Sequence, residues 1–177
     1  MSIDSLAINK LIGRLGYEFK TPALLMQALT HRSFAANNNE RLEFLGDSAL
    51  NFIIANQLYQ RFSKLPEGDL SRLRAQLVKE ATLSEIALNL ELGDALKLGE
   101  GELKSAGWRR PSILADALEA IIGAVYIDGG FSSAERLVLK IYQEKLTNIN
   151  PKVIDKDPKS QLQEYLQGKK MDLPDYC

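Results

Sequence analysis

Thiols and imidazoles are almost missing from this chain: among 177 residues there is one cysteine, Cys177, and one histidine, His31. A lone thiol forms no internal disulfide, so a reducing compartment is the simpler expectation. Metal cages built from thiolates or from several imidazoles are excluded as well. Long hydrophobic runs are also lacking, and no stretch approaches the roughly 18 uncharged apolar residues of a membrane span. The opening MSIDSLAINK has neither the basic start nor the apolar run of a secretion signal. These absences point to a soluble, cytoplasmic protein with no membrane partner. A basic excess is missing too, since 22 Lys plus Arg face 23 Asp plus Glu. That balance argues mildly against nucleic acid. Its distribution is uneven, however: from Lys140 to Lys170, seven lysines oppose Glu144, Asp155, Asp157 and Glu164.

What is present is apolar periodicity at helical spacing. A hydrophobic content of 45% in a chain of this length supplies the core of one domain, with a short appendage. Leu6, Leu11, Ile12 and Leu15 predict a first helix ending near Gly16, and Pro22 opens a second that runs through Leu29. Asn37, Asn38 and Asn39 offer caps before a long helix from Glu40 to Phe62. Further helices are expected over Glu67 to Leu77, Ala81 to Leu90, Ser112 to Ile127 and Ser132 to Leu146. No segment has a convincing strand pattern, so the expected fold is all-α. GEGELKSAGWRRPS, Gly99 to Ser112, reads as a long mobile loop, equally consistent with a functional element or a plain connector. NINPKVIDKDPKS, Asn148 to Ser160, exchanges periodicity for proline and charge, as a linker does.

The most informative stretch is NERLEFLGDS, Asn39 to Ser48. Glu40, Glu43 and Asp47 stand at i, i+3 and i+7, which puts three carboxylates on one face of the long helix. An acidic face is commonly just a solvated one. Here Leu42, Phe44, Leu45, Ala49, Leu50, Phe52, Ile53 and Ile54 cover most of the rest of the circumference, so the helix is expected to be deeply packed. Gly46 in mid-helix suggests that another backbone approaches closely.

A second acidic pair, Asp116 and Glu119, sits one turn apart in SILADALEAIIGAVYID, which is otherwise apolar almost all round. Burying such acids without partners is prohibitively costly. Arg72 and Arg74 could reach in as structural partners; the alternative is a divalent cation. Oxygen ligands without cysteines and with one histidine favour Mg²⁺ or Mn²⁺ over zinc. If the two helices cross, Glu43, Asp47, Asp116 and Glu119 converge on one metal site, for which phosphoryl transfer is the leading chemistry.

These residues resemble the signature of the bacterial ribonuclease III family. NERLEFLGDS matches throughout, joined by SILADALEAIIGAVYID and EGDLSRLRAQLV, and DPKSQLQEYLQGKKMDLP is similar to the opening of the family's double-stranded-RNA-binding domain. The resemblance implies a helical endonuclease domain over 1–147, a linker over 148–157, and an incomplete RNA-binding domain over 158–177 in a truncated chain. It implies that Glu43, Asp47, Asp116 and Glu119 bind Mg²⁺, with Asp47 and Glu119 catalytic and Glu40 and Glu67 as supporting acids. The loop sequence AGWRRPS departs from the glycine-richer segment expected there. By the same resemblance the protein is a homodimer, with Phe44 and Leu45 at its interface and no small organic cofactor. Its water-mediated cleavage of double-stranded RNA would leave 5′-phosphate and 3′-hydroxyl ends with short 3′ overhangs, in the processing of ribosomal and other RNA. Gln161 and Glu164 fall on the face that would contact the RNA minor groove.

Other residues are expected to be structural. His31, beside Arg32 at a helix end, is a hydrogen-bonding group, Cys177 is inert, and Trp108 covers a local apolar patch as readily as it stacks on a base. Two rival functions are a catalytically idle RNA-binding protein of the same fold, which would have lost acids, and a nucleotide phosphohydrolase, which commonly adds histidines.

Overall fold

The computed structural model describes residues 3–151. The expectations for 158–177, including Gln161, Glu164 and Cys177, lie outside the described residues. Nine α-helices follow one another among those described: α1 (Ile3–Leu15), α2 (Pro22–Ala28), α3 (Glu40–Arg61), α4 (Glu67–Val78), α5 (Glu80–Asn89), α6 (Glu100–Lys104), α7 (Pro111–Gly129), α8 (Phe131–Ile141) and α9 (Gln143–Asn148). Tight 3₁₀ turns occupy Leu92–Ala95 and Gly107–Arg109. The all-α expectation holds. No strand forms among the described residues; an isolated parallel bridge joins Thr30 to Lys97. In it the His31 N–H donates to the Lys97 carbonyl at 3.0 Å, and the Lys97 N–H to the Leu29 carbonyl at 2.8 Å. No described helix is long and apolar enough to cross a membrane.

The apolar sequence of α7 explains its place. Leu114, Ala117, Leu118, Ile121, Ile122 and Val125 are all shut off from solvent, and such a helix must be surrounded. α3, α5, α2 and α8 pack around it. α3 contributes Leu50, Ile53, Ile54 and Leu58 to the same core. Burying each of these side chains is worth about 1.5–3 kcal/mol, so the α3/α7 contact is a principal source of stability. Pro22 and Pro111 start their helices at the first turn, as their fixed φ favours. Gly130, at φ +77°, breaks α7 from α8 in a conformation that side chains disfavour.

Two expectations are corrected. The segment from Gly99 to Ser112 is not a plain loop: it folds into α6 and the 3₁₀ turn. The Gly99 N–H donates to Ser33 Oγ at 3.0 Å, and Arg110 pairs with Glu102 at 3.0 Å. Arg109 lies over the Trp108 ring, 4.1 Å from its centroid. The helix expected over Ser132 to Leu146 is broken at Tyr142. That side chain is fully buried, and its hydroxyl donates to the Leu77 carbonyl at 3.2 Å; α9 begins at the next residue.

Candidate active site

The site is set by where α3 and α7 touch. A Cβ on Gly46 would overlap the carbonyl oxygen of Glu119, and one on Gly123 would overlap that of Leu42. Two glycines thus let the helices meet backbone to backbone. The acids of α3 and α7 flank this crossing. Carboxylate oxygens of Glu43, Asp116 and Glu119 all lie within 4.8 Å of one another. The structure thus brings three of the four acids together. Asp47 stands more exposed at the rim, where its Oδ1 accepts a bond from Asn51 Nδ2 at 2.8 Å, yet its charge still acts on Glu119 and Glu43.

Electrostatics show how costly the cluster is. Burial, then repulsion from Asp47, Glu43 and Asp116, pushes the Glu119 carboxyl up to about 8. Burial and the neighbouring Asp116, Glu40 and Asp47 likewise raise Glu43, with Arg32 opposing. Asp116 is raised by burial and Glu80, with His31 and Arg32 opposing. Arg72, considered as an inward partner, pairs with Asp69 of its own helix at 2.6 Å, and Arg74 lines a groove with Tyr59 and Glu67. A hard divalent cation fits the site: three converging carboxylates supply oxygen ligands, and their mutual repulsion is what a cation relieves.

Of the supporting acids, Glu40 adjoins the cluster and pairs with Arg32 at 3.4 Å. Glu67 does not: it begins α4, where Ser71 Oγ donates to it at 2.7 Å. His31 is held by its own turn, its Nδ1 lying 2.8 Å from Ser33 Oγ and accepting the Ser33 N–H at 3.2 Å. Beside the acids lies a cavity of about 400 Å³ whose lining includes Arg32, Asn39 and Arg110. Sequence reasoning missed this feature, because its walls come from distant segments.

The outer face of α3 carries a different signal. Phe44, Phe52 and Tyr59 are 77%, 61% and 73% exposed, and at i, i+8 and i+15 they form one apolar stripe. Phe131 meets Phe52 edge-on at 5.6 Å. Phe44 and the half-buried Leu45 border an apolar groove with Leu24 and Ile127.

Comparison with known proteins agrees with this geometry. The family described as Ribonuclease-III-like matches residues 21–146. A protein of Ralstonia pickettii (strain 12J) named Ribonuclease 3 is 61% identical over 176 residues, which is 99% of this chain and 67% of that protein. This chain thus spans about two thirds of its curated relatives. The nuclease domain of ribonuclease III from Campylobacter jejuni superposes with a TM-score of 0.77 at 46% identity, covering 81% of this chain and 98% of that one. A second structure of that domain, described for flexibility in a region involved in dimer formation, gives 0.76 at 48% identity, covering 77% and 96%.

Proposed function

This chain belongs to the ribonuclease III family, and on that premise we propose that it is a Mg²⁺-dependent endonuclease that hydrolyses double-stranded RNA. One observation carries the reading: Glu43, Asp116 and Glu119 converge where α3 crosses α7, with Asp47, Glu43 and Asp116 all repelling Glu119. Together with Asp47, these acids would hold Mg²⁺, or Mn²⁺ in its place. A cation so held supplies the charge that activates water and stabilises the departing oxygen. Glu119 and Asp47 position that chemistry. Water attacks phosphorus, the bond to the 3′ oxygen breaks and that oxygen takes a proton, leaving 5′-phosphate and 3′-hydroxyl ends.

A second copy of the chain would cover the stripe of Phe44, Phe52 and Tyr59, with Phe44 and Leu45 at the centre of the contact. Three large apolar side chains left in water are a recognised mark of an interface. A twofold dimer carries two acidic sites, each able to cut one strand, with short 3′ overhangs as the product. A-form duplex is read by shape and 2′-hydroxyls, so little sequence preference is expected. Residues 158–177 would supply the opening of a further RNA-binding module through Gln161 and Glu164. Processing of ribosomal and other RNA in the cytoplasm is the matching role.

The test is incubation with duplex RNA and, separately, with nucleotides, each with Mg²⁺ or a chelator. Cleavage of duplex alone, only with Mg²⁺, is expected. Binding without cleavage indicates an idle RNA-binding protein, and nucleotide hydrolysis a small-substrate phosphohydrolase; either overturns the proposal.

A further inference from the structure

The cavity beside the acids presents several hydrogen-bond donors. Asn39 lines it while only 2% exposed, and its Nδ2 donor has no hydrogen-bond partner among the described residues. An orphaned buried donor is rare, because its desolvation goes uncompensated. Ser112 and Ile113, from the first turn of α7, line the same space. That helix has no side-chain cap, and its first backbone bond runs from the Leu114 N–H to the Arg110 carbonyl at 3.1 Å. The N–H groups of Ser112 and Ile113 therefore precede the helix ladder and lie at its positive end. Two guanidinium groups complete the wall. Arg32 is engaged by Glu40 and Arg110 by Glu102, each through Nη1, and Arg110 Nη2 also meets Ser105 Oγ at 3.3 Å. A guanidinium has five N–H donors, so both keep some for a ligand.

We propose that this cavity is a phosphate subsite, which seats a non-reacting backbone phosphate of the substrate strand on Arg32, Arg110, the Asn39 amide and the uncapped start of α7. The proposal rests on the duplex-RNA reading above. The reacting phosphate belongs at the acidic cluster. Asn39 precedes Glu43 by about one helical turn, 5.4 Å, a step of the same order as that between neighbouring phosphates of a strand. Glu40 and Glu102, which pair with the two arginines, and Glu43 and Asp116 also line the cavity, so without a cation the carboxylates oppose an anion. Cation and phosphate must then bind with positive coupling, each raising the affinity of the other.

Arg110→Gln and Asn39→Ala, made in the full chain and assayed on a short RNA duplex with Mg²⁺, test the subsite. KM is expected to rise about tenfold for Arg110→Gln, the scale of one charge-assisted bond, while kcat changes little. For that variant the dependence of log kcat/KM on log salt becomes shallower by roughly one phosphate contact. Asn39→Ala raises KM less and leaves the salt slope alone, since an amide carries no charge. It breaks no bond made by Nδ2 among the described residues, so any fall in melting temperature reflects only the lost packing of a small buried side chain. The same ranking is expected for duplex binding followed by fluorescence anisotropy in a Glu119→Gln background. Arg110→Lys restores the salt slope but not the full KM. If Arg110 only clamped Glu102, Arg110→Gln would lower the melting temperature and leave the salt slope unchanged. That result, or unaltered KM in both variants, overturns the subsite. Absence of duplex cleavage by the unaltered chain instead overturns the underlying function.

Discussion

Gly46 of α3 packs directly against the carbonyl oxygen of Glu119 of α7. The smallest residue of one helix is thereby fitted to the backbone of a site acid on the other, and the spacing of the carboxylates depends on it. Gly46→Ala forces the helices apart, at an overpacking cost of about 1–3 kcal/mol. Turnover is expected to fall further than stability does, because separated acids hold a cation less well. Gly13 of α1 is the contrast: nothing lies within 4 Å of a Cβ placed there, so Gly13→Ala should stabilise by up to about 1 kcal/mol. Thermal denaturation and kcat at saturating Mg²⁺ check both outcomes.

Glu119→Gln is expected to abolish cleavage while the protein without metal becomes more stable, since a repelled carboxylate is replaced by a neutral amide. The parent protein then has a distinctive pH profile. Its Glu119 is pushed up to about 8 from the ordinary 4.5, so between those values the folded state binds more protons than the unfolded one. Stability of the metal-free protein should accordingly decline as pH rises from near 4.5 to near 8. Melting curves across that range are expected to show this decline, to lose part of it in the variant, and to lose it in the parent when Mg²⁺ is added. A parent profile indifferent to Mg²⁺ at pH 8 would count against a cation at these acids.

Phe44 is 77% exposed in the single chain, so Phe44→Ala removes nothing from the core. Its expected effect is on assembly. An aromatic anchor at the centre of an interface is commonly worth 2 kcal/mol or more, about 30-fold or more in the dimer dissociation constant. Sedimentation should show the unaltered chain as a dimer at micromolar concentration and the variant shifted toward a 19.7 kDa species. A 19.7 kDa species for the unaltered chain would overturn the interface.

The acids were legible because local sequence dictates them: Glu43 with Asp47 and Asp116 with Glu119 each share a helical face, and the apolar residues around the α7 pair require burial. Gly46 announced a close approach, although only the fold identifies Glu119 as the backbone it meets. What periodicity could not convey is tertiary. Val138, Ile141 and Leu146 continue a helical pattern through Tyr142, where the helix nevertheless breaks and the side chain bonds to Leu77 in another helix. Asn39 read as a cap residue and Arg110 as loop charge; they become one cavity only when the starts of α3 and α7 are brought together. Glu67 shows the converse: expected as a supporting acid, it lies away from the cluster, beside Tyr59.

Asp128, at the end of α7, fastens that helix to the segment between α1 and α2. Its carboxylate accepts the Tyr17 hydroxyl at 2.8 Å, the Lys20 N–H at 2.8 Å and the Thr21 N–H at 2.9 Å. Burial pushes this carboxyl up, but the bonds from Lys20, Tyr17 and Thr21 together outweigh it and hold the group below its ordinary 3.8. For an acid depressed on folding, the unfolded state binds more protons in the window below 3.8, so the contribution is complete above that value and is lost as pH falls through the folded one. Asp128→Asn keeps much of the shape but supplies a weaker, neutral acceptor. It should lower the melting temperature at pH 7 and lower it progressively less in strong acid, where the parent carboxylate is itself protonated. Tyr17→Phe removes one of the donors and is expected to cost less than Asp128→Asn at pH 7. Because α7 also carries Asp116 and Glu119, loosening its far end tests whether the site depends on the whole helix. Cleavage by Asp128→Asn near the parent rate at pH 7 would show that the α3/α7 crossing alone holds the acids in place.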